Sequence, residues 1–249
     1  DMQSHSVGEV AIKGLSILLP GGGATVRASE RVTACGASVV SEVPTSRWAT
    51  GVLSLDPLEG ICVPIEVCRA RHGGFVAGAE LADHEAFSVS QTEAAAMDPQ
   101  QRLLLEFGYF SLHGSSLERM LLMGSDAGVF LGITWNEFED MLKLTPTGSS
   151  VFAVTGAKLS VASGRLSYVL GLHGPCVTYD TACSAAVVAC HSGLRALQLN
   201  ECSTGIPLAV NLMLLPGVST SFAVAGMTSV RGCSHTFDSR ADGYARGEA

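Results

Sequence analysis

The segment with the clearest chemical potential is TYDTACSAAVVACHSG, residues 178–193. A strand-like apolar run ends at Asp180, a helix-like run begins at Ser184, and Cys183 falls in the turn between them. A thiol at a helix N-terminus sits beside backbone N–H groups that lack intrahelical partners and beside the positive end of the helix dipole, and both favour the thiolate. Cys183 is therefore the candidate nucleophile. The same N–H groups are suited to hold the oxyanion formed when a thiolate attacks a thioester carbonyl. The local pattern also fits a plainer reading, an inert buried thiol at an apolar junction. Cys176 in the strand and Cys190 in the helix carry only that plainer reading. The eight cysteines, at 35, 62, 68, 176, 183, 190, 202 and 233, contain no Cys-x-x-Cys pair and form no zinc-type cluster with histidine. No metal is expected, and cysteines this sparse in a long chain fit a reducing compartment better than a disulfide-stapled scaffold.

The elements that must position Cys183 can be read along the chain. Residues 10–19 read as a buried first strand that ends at Pro20 and the flexible Gly21-Gly22-Gly23, and residues 24–35 as a weakly patterned helix. Residues 36–82 are loop-like. Residues 86–97 look helical, after which Asp98 is placed to cap a new helix with Pro99 at its first position. Leu103, Phe107 and Phe110 line one face of that helix at spacings of four and three. A strand over 127–133, a helix over 136–144 and a helix rich in small residues over 155–170 follow. The strand 175–180 then leads through Cys183 to a helix over 184–199, with Val187, Val188, Leu194 and Leu197 toward the core. Alternating strands and helices of this kind imply a layered α/β architecture with at least partly parallel strands.

Of the 249 residues, 47% are hydrophobic and 15% charged, which excludes a disordered or fibrous chain and promises a sizeable core. With 15 Lys and Arg against 23 Asp and Glu, the net charge is −8, and no basic run offers attraction for phosphate backbones. Nucleic acid is not an expected partner. Residues 202–230 carry no charge, and a run of that length passes the roughly 20 residues that span a bilayer. Pro207, Asn211, Pro216, Gly217 and several Ser and Thr residues nevertheless divide it into a strand-like PLAVNLML and a separate helix-like segment, so two buried elements are expected and no membrane span. The N-terminal DMQSHSVGEVAIKG has no signal or transit character. The cytoplasm is the expected compartment, and the absence of an initiator Met leaves the true N-terminus open.

GPCVTYDTACS (174–184) resembles the active-site segment of β-ketoacyl synthases, and EAAAMDPQQRLLLE (93–106) resembles the signature of ketosynthase domains in type I polyketide synthases. Five further segments follow the family pattern in order: GVFLGIT (128–134), ASGRLSYVLGLHGP (162–175), AVNLML (209–214), FAVAGMTS (222–229) and TFDSRADGYARGE (236–248). The resemblance covers residues 10–249, is weakest over 21–82, and through its Asp-Pro-Gln-Gln-Arg run favours the polyketide type over the stand-alone fatty-acid type. It implies an α/β thiolase-like fold of layered αβαβα type, with residues 1–249 as the N-terminal half of the domain. The implied chemistry is decarboxylative Claisen condensation. Cys183 would take an acyl chain from the phosphopantetheine of an acyl carrier protein, and a malonyl-type extender, once decarboxylated, would attack the resulting thioester. No cofactor is bound directly. Phe237 lies where relatives line the pocket near the nucleophile, against the alternative of a plain core aromatic.

The resemblance also marks what differs. Two histidines, a lysine and a Gly-rich oxyanion segment belong to the family's second half, and His173, His191 and His235 are not read as substitutes for them. The isolated chain is expected to be inactive in condensation and prone to aggregate. Ala185-Ala186, Leu208-Ala209 and Ala249 depart from the family's usual Ser and Gly. Two other readings on the same fold stay open: a non-catalytic ketosynthase-like partner for dimerisation or chain-length control, and another thioester condenser. Implied partners are the acyl carrier protein, acyl and malonyl-type thioesters, and a second copy of the chain in a homodimer. Arg69 and Arg71 are the candidate contacts for the acidic carrier protein, with a solvated loop as their plainer role, and residues 151–156 are the candidate dimer interface.

Overall fold

A computed structural model describes residues 9–48 and 65–249. Cys62 and the middle of the loop expected over 36–82 lie outside the described residues. In chain order the elements are α1 (Val26–Ala34), β1 (Val40–Glu42), α2 (Ile65–Arg69), β2 (His72–Gly74), α3 (Gln91–Ala95), α4 (Pro99–Gly114) and α5 (Arg119–Leu122). They continue with β3 (Gly128–Gly132), α6 (Glu137–Lys143), α7 (Ala153–Ala157), α8 (Leu159–Leu170), β4 (Cys176–Tyr179), α9 (Ala185–Gln198), β5 (Gly205–Ala209), α10 (Pro216–Val224) and β6 (Arg246–Gly247). Single 3-10 turns occupy Glu85–Phe87, Pro146–Ser149 and Ala182–Ser184. The chain divides into two units, Asp1–Ser16 with Ala79–Val210, and Ile17–Gly78 with Asn211–Ala249.

The first unit contains Cys183 and is built on a parallel sheet of order β4-β3-β5. Val129 of β3 lies opposite Cys176 on one side and Ile206 on the other. Every residue of β3 is buried, which explains its unbroken apolar sequence, because both faces of the strand are covered. Successive side chains point to opposite faces. Val129 accordingly joins Leu105 and Leu112 of α4 and Leu166 and Leu170 of α8, while Phe130 joins Ala189 and Ala196 of α9.

The expected buried face of α9 is corrected by this packing. On α9 the buried residues are Ala185, Ala189, Gly193 and Ala196, whereas Val187 is 70% exposed and Leu194 40%. The small residues lie on one helical stripe and let α9 approach the sheet closely: a Cβ on Gly193 would lie 3.2 Å from the Phe130 ring. On α4, Asp98 caps the helix as expected, its carboxylate accepting from the Gln100 N–H with Pro99 at the first turn. The buried residues there include Leu103, Leu104, Leu105, Gly108 and Leu112, and Phe110 is 51% exposed with its ring edge-on to Phe107. Gly108 decides the orientation, since a Cβ on it would come within 2.9 Å of Leu166 on α8.

Other boundaries also moved. Residues 10–19 form no strand. Ile12 is 89% exposed and Leu15 64%, and only Leu19 makes a bridge, to Gly23 across the Pro20-Gly21-Gly22 turn. The helix expected over 155–170 is broken at Lys158, whose extended backbone separates α7 from α8. The one expected over 86–97 is a 3-10 turn and then α3, interrupted at Ser88, which has φ 57°. Within 202–230 the ladder stops at Ala209 and α10 begins at Pro216. Among the described residues no helix is long and apolar enough to cross a membrane.

The second unit has a sheet of order β1-β2-β6, antiparallel between β1 and β2 and parallel between β2 and β6. Arg69 is not a free basic contact: its guanidinium donates to the carbonyls of Gly226 (2.9 Å), Thr228 (2.5 Å) and Asp242 (3.2 Å). Arg71 reaches Glu42 at 3.5 Å. The positive charge of Arg69 thus pins the loops that follow α10, and Arg71 lies beside a carboxylate.

Candidate active site

Cys183 sits in the 3-10 turn Ala182–Ser184, between the last residue of β4, Tyr179, and the first of α9, Ala185. It is exposed, so the reading of a buried inert thiol does not hold for it. Cys176 and Cys190 are exposed as well, a correction to their expected burial. Ala182 has φ +53°, in the left-handed region, where a side chain costs roughly 1–2 kcal/mol. The turn is tied by several contacts. The Ala182 N–H donates to Asp180 Oδ1 (3.3 Å), and the Ser184 hydroxyl lies 2.7 Å from the Thr181 carbonyl and 2.9 Å from the Thr181 hydroxyl. From the loop that follows β3, Thr134 Oγ1 donates to the Ala182 carbonyl at 3.4 Å.

Gly132, at the end of β3, sets how closely this turn approaches the sheet. A Cβ there would lie 2.5 Å from the Ala185 carbonyl carbon and 2.7 Å from the Ala186 nitrogen. Those are backbone atoms of the first turn of α9, and no side chain fits between. Sequence reading missed Gly132 as a site-forming residue, although a glycine inside a strand pattern is the usual signal for close backbone approach.

The remaining candidates are His173, His191, His235 and Phe237. His173 and His191 are exposed and His235 is half-buried. Among the described residues no group of three or more His, Cys, Asp or Glu side chains is arranged to hold a metal. Phe237 belongs to the second unit and is fully exposed, at 103%.

The carboxyl group of Asp98, behind the turn and 2% exposed, has its pKa raised from 3.8 to about 6. Burial is the main cause and Glu137 adds to it, while the Gln100 hydrogen bonds and Arg102 act in the opposite direction. The folded value lies above the unfolded one, so the folded state binds more protons between about pH 4 and 6, and stability falls as pH rises through that window. A shift of this size corresponds to about 3 kcal/mol at most. Asp98→Asn keeps a capping oxygen and removes the titration. Urea melts are expected to show the variant gaining roughly 2–3 kcal/mol on the wild type between pH 4 and 7.5. A gap that stays constant with pH would contradict the assignment.

Comparison with known proteins places this geometry. A family model described as "Beta-ketoacyl synthase, N-terminal domain" matches residues 8–249. The chain is 36% identical over 247 residues to a mycocerosic acid synthase-like polyketide synthase of Mycolicibacterium smegmatis, covering 99% of this chain and 12% of that protein. It is 34% identical over 239 residues to 5-methylorsellinic acid synthase of Aspergillus terreus, covering 96% of this chain and 9% of that protein. Among solved structures, the ketosynthase from module 6 of the bacillaene synthase of Bacillus subtilis aligns with a TM-score of 0.78 at 31% identity, over 96% of this chain and 38% of that one. A ketosynthase domain from the oxazolomycin system of Streptomyces albus gives a TM-score of 0.82 at 27% identity, over 95% of this chain and 40% of that one. The alternating sheet and helix layers, the Cys183 turn and these likenesses agree: the chain belongs to the β-ketoacyl synthase family, has its thiolase-like fold, and has type I polyketide synthases among its relatives.

Proposed function

We propose that Cys183 is the acyl-accepting nucleophile of a polyketide ketosynthase. The observation that carries this reading is an exposed thiol, next to the left-handed Ala182, directly ahead of a 14-residue helix. In the first step the Cys183 thiolate attacks the carbonyl of an acyl thioester on the phosphopantetheine arm of an acyl carrier protein. A tetrahedral oxyanion forms, with the backbone N–H of Cys183 proposed as one of its donors. The carbon–sulfur bond to phosphopantetheine then breaks, the departing thiolate takes a proton, and acyl-Cys183 remains. A carbanion from decarboxylation of a malonyl-type extender attacks that thioester, forming the new carbon–carbon bond and releasing the Cys183 thiolate. His173, His191 and His235 are assigned no part in that second half-reaction. Phe237, exposed on the second unit, is proposed to face the acyl substrate, and the working protein is proposed to be a homodimer using residues 151–156.

Retention of the nucleophile favours an enzyme over a non-catalytic partner of the same fold. The intact protein that carries this chain would be incubated with an acyl phosphopantetheine thioester, digested, and analysed by tandem mass spectrometry across residues 166–195, which hold Cys176, Cys183 and Cys190 together. Acyl mass is expected on Cys183 at about tenfold or greater excess over the other two, although all three are exposed. Equal modification of the three would sink the proposal.

A further inference from the structure

The Cys183 turn is exposed on its outer side, so its conformation depends on what holds it from behind. Beyond the paired strands, the Ile133 N–H still donates to the Tyr179 carbonyl (3.1 Å), which carries the β3–β4 pairing one residue further. The chain then turns through residues 134–136. Thr134 reaches across to the Ala182 carbonyl, and the next residue, Trp135, presents its own carbonyl to the N-terminus of α4. There the side-chain amide of Gln100 donates to it at 3.0 Å. The same Nε2 donates to Asp98 Oδ2 at 3.2 Å, and the Gln100 backbone N–H donates to Asp98 Oδ1 at 2.8 Å. Gln100 and Asp98 are 1% and 2% exposed.

An amide buried this deeply is destabilising unless its donors are matched. Both N–H groups of the Gln100 side chain are matched here, one by a carboxylate of its own helix cap and one by the loop carbonyl. The neighbouring Gln101 points elsewhere, to the carbonyls of Thr155 and Lys158. Gln100 alone of the two therefore ties α4 to the loop that touches the Cys183 turn. Such a tie has a physical use at this point, because Ala182 occupies a left-handed conformation that persists only where its surroundings over-determine it.

We propose that Gln100 is a positioning residue for Cys183, acting through the loop 133–136: its amide fixes Trp135, and Thr134 then holds the Ala182 carbonyl. The proposal rests on Cys183 being the acyl acceptor. It assigns to the Asp-Pro-Gln-Gln-Arg run a task in the acyl-transfer step in addition to capping α4. Small displacements of a nucleophile are costly in rate, whereas substrate affinity, set by other residues, should change little.

The test measures single-turnover acylation of Cys183 in the intact protein, as rate against acyl-thioester concentration, for Gln100→Leu, Thr134→Val, Thr134→Ser and the Gln100→Leu/Thr134→Val pair. Gln100→Leu is expected to lower the maximal rate about tenfold with apparent KM changed less than about twofold. Thr134→Val, which removes one long hydrogen bond, is expected to lose about threefold, and Thr134→Ser to stay near wild type. Because the two residues act along one line of contacts, the double variant should lose no more than Gln100→Leu alone. Wild-type acylation by Gln100→Leu, or losses that multiply in the double variant, would overturn the proposal. If Gln100→Leu does not fold, the threonine pair decides: slower transfer by the Val variant alone supports it, and equal rates overturn it. A Cys183→Ala protein that still becomes acylated would instead overturn the reading of Cys183 itself.

Discussion

Cys183→Ala is expected to abolish acyl loading from a phosphopantetheine thioester, with a loss on the order of 10³-fold or more in single-turnover rate. Cys183→Ser should fare little better, since a hydroxyl without an activating base is a much weaker nucleophile than a thiol. Neither change should matter to stability. The Cys183 side chain is exposed, and surface substitutions away from caps, cores and buried networks usually shift stability by less than about 0.5 kcal/mol. Parallel thermal melts and acylation assays therefore separate the two effects: an unchanged Tm with no acyl transfer is the expected pattern. Transfer retained in the Ala variant would move the nucleophile to another exposed cysteine, with Cys176 and Cys190 the nearest in sequence.

Much of the site was legible because it follows from periodicity and end signals. The strand before Cys183, the helix after it, and the Asp98 and Pro99 start of α4 each combine a local hydrophobic pattern with a local cap, and each formed where the pattern placed it. What failed was the choice of face. Burial was assigned to large apolar residues of α9, Val187 and Leu194 among them. The close contacts are made instead by Gly193 on Phe130 and Gly108 on Leu166, because only small residues let two backbones approach. A similar blindness hid the back of the site. Gly132 and the left-handed φ of Ala182 are consequences of tertiary approach, and an alanine carries no sequence mark of that conformation. Residues 10–19 failed for a related reason: an apolar run becomes a strand only where a sheet edge receives it, and Ile12 and Leu15 remain exposed.

Glu248 gives the largest expected effect on stability, and it closes the last of the segments that resemble the family. Its side chain is fully buried and accepts four hydrogen bonds. Oε1 takes the Arg47 Nε–H (2.8 Å) and the Met213 N–H (3.0 Å), and Oε2 takes an Arg47 Nη2–H (2.9 Å) and the Val76 N–H (2.8 Å). Arg47, whose side chain is 7% exposed, also donates to the Val76 carbonyl at 3.0 Å. One carboxylate thus joins the chain after β1, the chain after β2 and the segment that precedes α10, all within the second unit. Glu248→Ala would take a bidentate carboxylate from the buried Arg47 guanidinium and leave two backbone N–H groups without these acceptors, which costs about 3–5 kcal/mol. That is a large part of the roughly 5–15 kcal/mol that stabilises an ordinary domain. The loss should persist at 1 M salt, because a pair excluded from solvent is screened far less than a surface pair. Urea melts would measure the magnitude, and hydrogen exchange would place it, with the Val76 and Met213 amides losing protection first. A change below about 1 kcal/mol, or one that salt reproduces in the wild type, would mean that the second unit is held together by its apolar contacts and not by this carboxylate.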